Sequence, residues 1–519
     1  MFYPYNMKSN IHPLKLLIAL LACYLCVVAR WGYEYGRNDA MQTQAYAKFL
    51  NSPDLYPLDN YLQGIHTKVP NERFAFSYLL SLSGDYLELI CVFMHLLVTL
   101  LQFLLWYKIG RMFIKTDYLV WLAILVIFVP LYGINLGGNE LYYNSFFVSS
   151  LVKLMGLFGI FQLLKERYIF ALFIFGLATL LQPVIGTQLF VTCAGVLFLG
   201  RIFGIIKMDW WRWFVGVLGF VLTGGLWVIF LKFFFEDKGI SNAEFFTILF
   251  EFRSPHHYLP IEYGRLNYLI IIPLLIFGTS FYLIRNKKIG LFFLISWLGM
   301  LVYFILVEGF SEVNAASLQW FKMTIWMKAF SVLAVFAMLE KTLPFLQEKI
   351  LCQLAFPVLA SVGAGVLYVL IFSRSLLFWD VPLDYGNQYF DDPEVHISYL
   401  AKQKTSQGAL FLHPINFTTL KVYGERSSMV DYKVLVHRKQ AMADWYKRIG
   451  DVYGVDVDSR KVGLELFDLA DTNYRNLSES DIKNLQKKYG ITHFLTFKYH
   501  YLGFPQVISN EMYRVYFIE

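Results

Sequence analysis

The chain has 519 residues, of which 57% are apolar and only 16% charged, whereas soluble domains average about 45–50% apolar and about 25% charged. With 49 Phe, 35 Tyr and 12 Trp, it carries more apolar surface than a water-soluble globule can cover. This composition excludes a cytosolic enzyme and a disordered chain. The net charge of +7 is scattered over short loops with no long Lys/Arg run, which argues against a nucleic-acid partner. The five cysteines, Cys23, Cys26, Cys91, Cys193 and Cys352, all lie inside apolar runs, without disulfide-framework or zinc spacing.

A bilayer core of about 30 Å takes roughly 20 helical residues. On that length the sequence offers about eleven spans, near 14–30, 86–107, 118–134, 141–164, 168–184, 187–206, 212–232, 267–284, 289–308, 322–340 and 351–373. The first reads as an uncleaved anchor, because Leu20-Leu21-Ala22-Cys23 is a poor lipoprotein cleavage box. Lys8 and Lys15 precede it. Alternate loops carry Lys108, Arg111 and Lys115, then Lys165 and Arg167, then Arg201, Lys207 and Arg212, then Arg285, Lys287 and Lys288, then Lys341 and Lys349. The opposite short loops carry no basic residue, so the N-terminus is expected inside and the C-terminus outside.

The first outer loop, 31–85, opens with Glu34 to Asp39, followed by helical spacing from Ala40 to Leu50. Asp39 sits at the expected helix start. It reads either as a cap, since Asp is favoured there, or as a carboxylate held at the membrane surface as general base or metal ligand. Asp54 and Asp59, in the proline-punctuated 52–61, read as turn residues. Between the third and fourth spans, Gly137-Gly138-Asn139-Glu140 holds an acid that reads either as a helix cap or as a functional carboxylate beside glycines that permit close backbone approach. Lys153, Lys328 and His95 fall at membrane depth, where ionisable groups are functional candidates by default. The second outer loop, 233–266, holds Arg253-Ser254-Pro255-His256-His257, which reads as a site for an anionic or sugar ligand, because Arg offers paired donors, as a purely structural turn, or more weakly as a metal site, since adjacent histidines point apart. Gln319 and Lys322 lie at the outer edge of the tenth span.

The last segment, 374–519, is far more charged and reads as a soluble extracytoplasmic α/β domain. Strands are expected at 408–413, 426–433, 491–497 and 513–518, and helices at 439–453 and 480–489, the latter closed by Gly490. Asp431 and Lys433, two apart on an expected strand, would share a face. The division is therefore 1–373 as a transmembrane domain carrying outer loops 31–85 and 233–266, and 374–519 as a separate domain.

Together, Asp39 after the first span, Glu140 in the next outer loop and the ending Lys487 to Phe494 with Tyr513 to Tyr516 resemble the GT-C superfamily of polytopic membrane glycosyltransferases. More narrowly, Arg253 to His257 and Arg426 to Lys433, with Trp445 and Arg448, look like a family of bacterial membrane proteins without assigned activity. The resemblance implies a GT-C-like helical bundle in the bacterial inner membrane that moves a sugar, with inversion, from a polyprenyl-phosphate-linked donor to an extracytoplasmic acceptor. Asp39 and Glu140 would be catalytic. Arg37, Arg253, His256, His257, Gln319 and Lys322 would bind substrate, with membrane lipids as surroundings. A divalent cation is the one cofactor it leaves room for, although Asn-Glu in place of paired acids weakens that expectation. A non-catalytic envelope scaffold and a transporter or lipid flippase are the alternatives; the odd span count and the absence of a repeat count against transport.

Overall fold

The structure is a computed structural model that describes residues 12–234, 239–344, 392–460 and 465–519, together with 357, 358, 361 and 363. Among these, seven helices are long and apolar enough to cross a membrane: Pro13–Trp31, Gly84–Gly110, Pro183–Ile202, Trp210–Phe234, Arg265–Arg285, Lys287–Gly309 and Val313–Thr342. Three shorter apolar helices, Asp117–Phe128, Val148–Leu164 and Tyr168–Leu181, occupy further expected spans. The protein is thus a multi-pass, mainly helical membrane chain with a small C-terminal sheet. The span expected at 351–373 lies outside the described residues apart from those four isolated positions.

Local chemistry sets the boundaries. The first helix begins with Pro13 at a position whose N–H would be unpaired anyway, and ends at Gly32, whose φ of 75° closes it. Asp117–Phe128 stops earlier than its apolar run suggests, because Val129 precedes Pro130 and the proline excludes a helical residue before it. Tyr168–Leu181 stops at Gln182 for the same reason, and Pro183 then opens the next helix.

The chain forms two compact units. One comprises Met1–Tyr33, Phe93–Val228 and His256–Pro382, and contains most of the apolar helices. The other comprises Glu34–Val92, Ile229–Pro255 and Leu383–Glu519. Most of the two long loops, 31–85 and 233–266, group with the C-terminal segment. The physical reason is charge pairing. Arg37 meets Asp392 at 2.8 Å, Lys48 meets Glu425 at 2.6 Å, and Asp59 pairs with Lys421.

The second unit is built on five strands, β1 (Leu410–Leu412), β2 (Ser427–Ser428), β3 (His493–Phe497), β4 (Gln506–Ser509) and β5 (Tyr513–Phe517), in the order β2-β1-β3-β5-β4. β1 runs parallel to β2 and β3, and β5 runs antiparallel to β3 and β4. Ile397, Ala401, Phe411, Leu495 and Val515 form part of its core. Helix Glu479–Tyr489 opens with a capping box between Ser478 and Asp481 and closes on Gly490. The strand expected over 426–433 is only two residues long. The chain bends at 432–433, so Asp431 turns into the core while Lys433 stays partly exposed.

Candidate functional site

Within the second unit, Asp39 lies in the first turn of helix Asn38–Asn51, whose cap position is Arg37. Its carboxylate therefore makes no capping bond, although a negative charge there is favoured by the helix dipole. The side chain is 51% exposed and its nearest ion partner is the Lys433 ammonium, 3.8 Å away. The preceding Asn38 has φ 49°, a strained backbone for a residue other than glycine. Its amide donates to Glu34 Oε2 at 2.9 Å.

Arg73 is the second basic group that acts on this acid, and further basic groups neighbour it and Lys433. Arg73 donates to the Tyr61 hydroxyl at 2.5 Å and feels the charges of Tyr61, Glu72 and Asp39, which outweigh its burial and raise its pKa. Arg253 donates to the Lys433 carbonyl at 2.8 Å and lies over the Tyr432 ring at 4.6 Å. His437 sits 3.7 Å from Glu72. Burial, and then the Arg73 and Arg253 charges, push the His437 imidazole down. Glu72 is held at about 2, its burial outweighed by His437 and Arg73. A 240 Å³ pocket is lined by Asn71, Glu72, Lys232, His437 and Arg438. Arg37, expected to bind substrate, is instead occupied with Asp392 at 2.8 Å and Glu394 at 3.8 Å.

The remaining candidates lie in the first unit. Glu140 is buried, and its carboxylate is taken up locally. Oε1 accepts from Gly133 N at 2.8 Å and Asn135 Nδ2 at 2.6 Å, and Oε2 pairs with Lys328 at 3.1 Å. Lys328 also donates to the carbonyls of Leu131 and Ile134. Lys153 donates to Asn139 Oδ1 at 2.7 Å and to the Glu140 carbonyl. Two membrane-depth lysines thus clamp the 131–140 loop, and Glu140 is a partner in the clamp rather than an open base.

This loop meets His257 and Lys322. A Cβ on Gly138 would fall 2.1 Å from His257 Nδ1, and one on Gly137 would lie 3.3 Å from Lys322 N. His257 Nδ1 lies 3.4 Å from the Gly137 carbonyl, and its ring packs against that of His256 at 4.1 Å. Gln319 is left-handed at φ 48°, and its backbone carbonyl accepts from Gln188 at 2.9 Å.

A third cluster escaped the sequence reading. Lys421, on the π-helical turn Leu420–Gly424, is buried between Asp59 and Asp431, the latter at 3.0 Å. His413 Nε2 lies 3.3 Å from Asp431 and 3.2 Å from Ser428 Oγ. Both carboxylate contact and hydroxyl contact fall on the same ring nitrogen, so this is no nucleophile–base–acid relay. The Lys421 ammonium is held charged, its burial outweighed by Asp431 and Asp59. The one signal in the sequence was an acid set directly after the apolar Met429-Val430.

Among the described residues no group of three or more His, Cys, Asp or Glu side chains could hold a metal ion. Glu140, with its oxygens engaged, does not fit that role.

Residues 395–452 match a family described as a domain of unknown function (DUF6798). No curated protein matches the chain. Among solved structures, the chain is similar to the Archaeoglobus fulgidus oligosaccharyltransferase in the apo form, at 12% identity and TM-score 0.48, over 93% of this chain and 69% of that one. It is also similar to archaeal oligosaccharyltransferase AglB from the same organism, in complex with an inhibitory peptide and a dolichol-phosphate, at 12% identity and TM-score 0.44 over the same shares. Likeness at this level concerns the general course of the chain and decides no chemistry.

Proposed function

We propose that this protein is a membrane glycosyltransferase of the GT-C type, transferring a sugar from a polyprenyl-phosphate-linked donor to an extracytoplasmic acceptor, with Asp39 as general base. One observation carries the reading: Asp39 is half-exposed and used neither as a cap nor in a close ion pair, whereas Glu140 is buried and engaged. An open carboxylate among cations suits proton removal from an attacking hydroxyl, a contribution worth about 10²–10⁴ in rate. Lys433, Arg73 and Arg253 are the groups of the same unit assigned to the charge that develops on the departing lipid phosphate. For the other unit, His256, His257, Gln319 and Lys322 are proposed as contacts to phosphate, to be tested by their own variants.

The reading places the protein in a bacterial inner membrane with the N-terminus inside. A periplasm-dependent reporter fused after Glu519 should be active. Asp39→Asn keeps size and removes charge. Cells carrying it at normal abundance should lose one glycoconjugate, by about a hundredfold in transfer rate, as read by mass spectrometry of envelope glycans. Unchanged glycans with both Asp39→Asn and Asp39→Ala would remove the reading.

A further inference from the structure

The 240 Å³ pocket of the second unit is lined by Asn71 and Glu72, by His437 and Arg438, and by Leu231 and Lys232. Its charges are unequally matched. Glu72, the acid of this lining, already has His437 at 3.7 Å and feels the Arg73 charge. Lys232 makes no hydrogen bond or ion pair among the described residues. Arg438 donates from Nη2 alone, to Thr67 Oγ1 at 2.7 Å and to the Gly64 carbonyl, both neutral acceptors. These two bonds fix the guanidinium before a ligand arrives, which lowers the ordering cost of binding. They leave the Nε and Nη1 hydrogens for that ligand. Two cations without a counter-charge, beside one acid that has its own, make this a place for an anion.

The wall that carries Lys232 says which anion. Leu231 and Lys232 lie in the last turn of Trp210–Phe234, a helix long and apolar enough to cross a membrane. A lysine ending such a helix reaches the headgroup level, where lipid phosphates are. Ile229, one turn before Lys232 on the same face, is 52% exposed, and Phe233 beside it is 70% exposed. An acidic peptide or a sugar acid would meet the charge and leave this apolar surface bare. A lipid covers both, with its phosphate against Lys232 and Arg438 and an acyl chain along Ile229 and Phe233.

We infer that this pocket holds the phosphate of an anionic membrane lipid, bound by Lys232 and Arg438. The inference is independent of the sugar-transfer reading: neither cation is assigned to the departing phosphate there, and the probe carries no sugar. Free phosphate would use the same two cations, so the test separates the sources. Phosphatidylglycerol with a fluorophore on its acyl chain is titrated onto the full-length protein in detergent. It should bind about tenfold more tightly than phosphatidylcholine carrying the same fluorophore, and millimolar inorganic phosphate should not displace it. Lys232→Gln removes no protein contact, so the fold stays intact, and it should weaken binding about fivefold. Arg438→Gln should do the same and Arg438→Lys should restore most of the loss. Lys207→Gln, at an exposed lysine outside the pocket, should change nothing. Equal affinity for the two lipids, displacement by inorganic phosphate, full binding by Lys232→Gln, or equal weakening by Lys207→Gln would each overturn the proposal.

Discussion

Lys421 and Asp59 form a fully buried ion pair across 362 residues of sequence. Asp431 completes the arrangement at 3.0 Å, so two carboxylates share one ammonium with no access to water. Removing that ammonium strands both acids. Lys421→Met should therefore cost about 3–5 kcal/mol. Lys421→Met combined with Asp59→Asn should recover part of that loss, as read by limited proteolysis of the purified chain against denaturant. A single-variant cost below 1 kcal/mol would show the acids re-solvating.

Glu140 and Lys328 make the corresponding test in the first unit. Glu140→Gln leaves a lysine buried without its counter-charge, and Lys328→Met leaves the acid. Each should lower the thermal transition in detergent strongly, by about 3–5 kcal/mol. The double variant should sit closer to wild type than either single one. Additive losses would contradict the pairing.

Gly138 and Gly204 separate backbone conformation from crowding. Both have positive φ, 59° and 66°, but a Cβ at 204 meets nothing within 4 Å whereas one at 138 overlaps His257. Gly204→Ala should cost about 1–2 kcal/mol from the left-handed backbone alone. Gly138→Ala should cost clearly more and displace His257, measurable as altered labelling of that imidazole by diethylpyrocarbonate.

The second unit should weaken in mild acid. Burial, and then the Arg426 charge, push the His493 imidazole down to about 4, below its unfolded value of about 6.5. A group depressed in the folded state contributes stability above its unfolded pKa and loses it as pH falls. The loss should thus begin below about pH 6.5 and run to about pH 4, amounting to at most about 3 kcal/mol. Hydrogen exchange of β3 should accelerate over that window in wild type. His493→Gln should flatten the dependence, and an unchanged profile would assign the acid sensitivity elsewhere.

How far the sequence foretold this molecule depends on the range of the interaction. Apolar run length reports directly on helix formation, so Pro13–Trp31 and Arg265–Arg285 were legible almost to the residue. Capping is equally local, which is why Gly490 marked the end of its helix. Pairing partners are not local. Nothing near Asp59 distinguishes a turn aspartate from one that seats Lys421, and nothing near Arg37 shows that Asp392 will occupy it. The two-residue strand Ser427–Ser428 is shorter than its pattern suggests because the apolar pair that follows it, Met429 and Val430, is buried beside the ion cluster rather than in the sheet. Asp39 alone among the two expected acids remained open, and no sequence pattern separates it from Glu140.

The discontinuity of the second unit imposes an order on synthesis. Asp59 leaves the ribosome 362 residues before Lys421, an interval on the order of 20–70 s at about 5–20 residues per second. Throughout that time the early segment has its acid, its tyrosines and its helix but not the ammonium that closes them. It must wait in a hydrated, unfinished state while the intervening apolar helices are inserted. Ribosome stalling or truncation anywhere before residue 421 would therefore disable the segment made first as well as the tail made last.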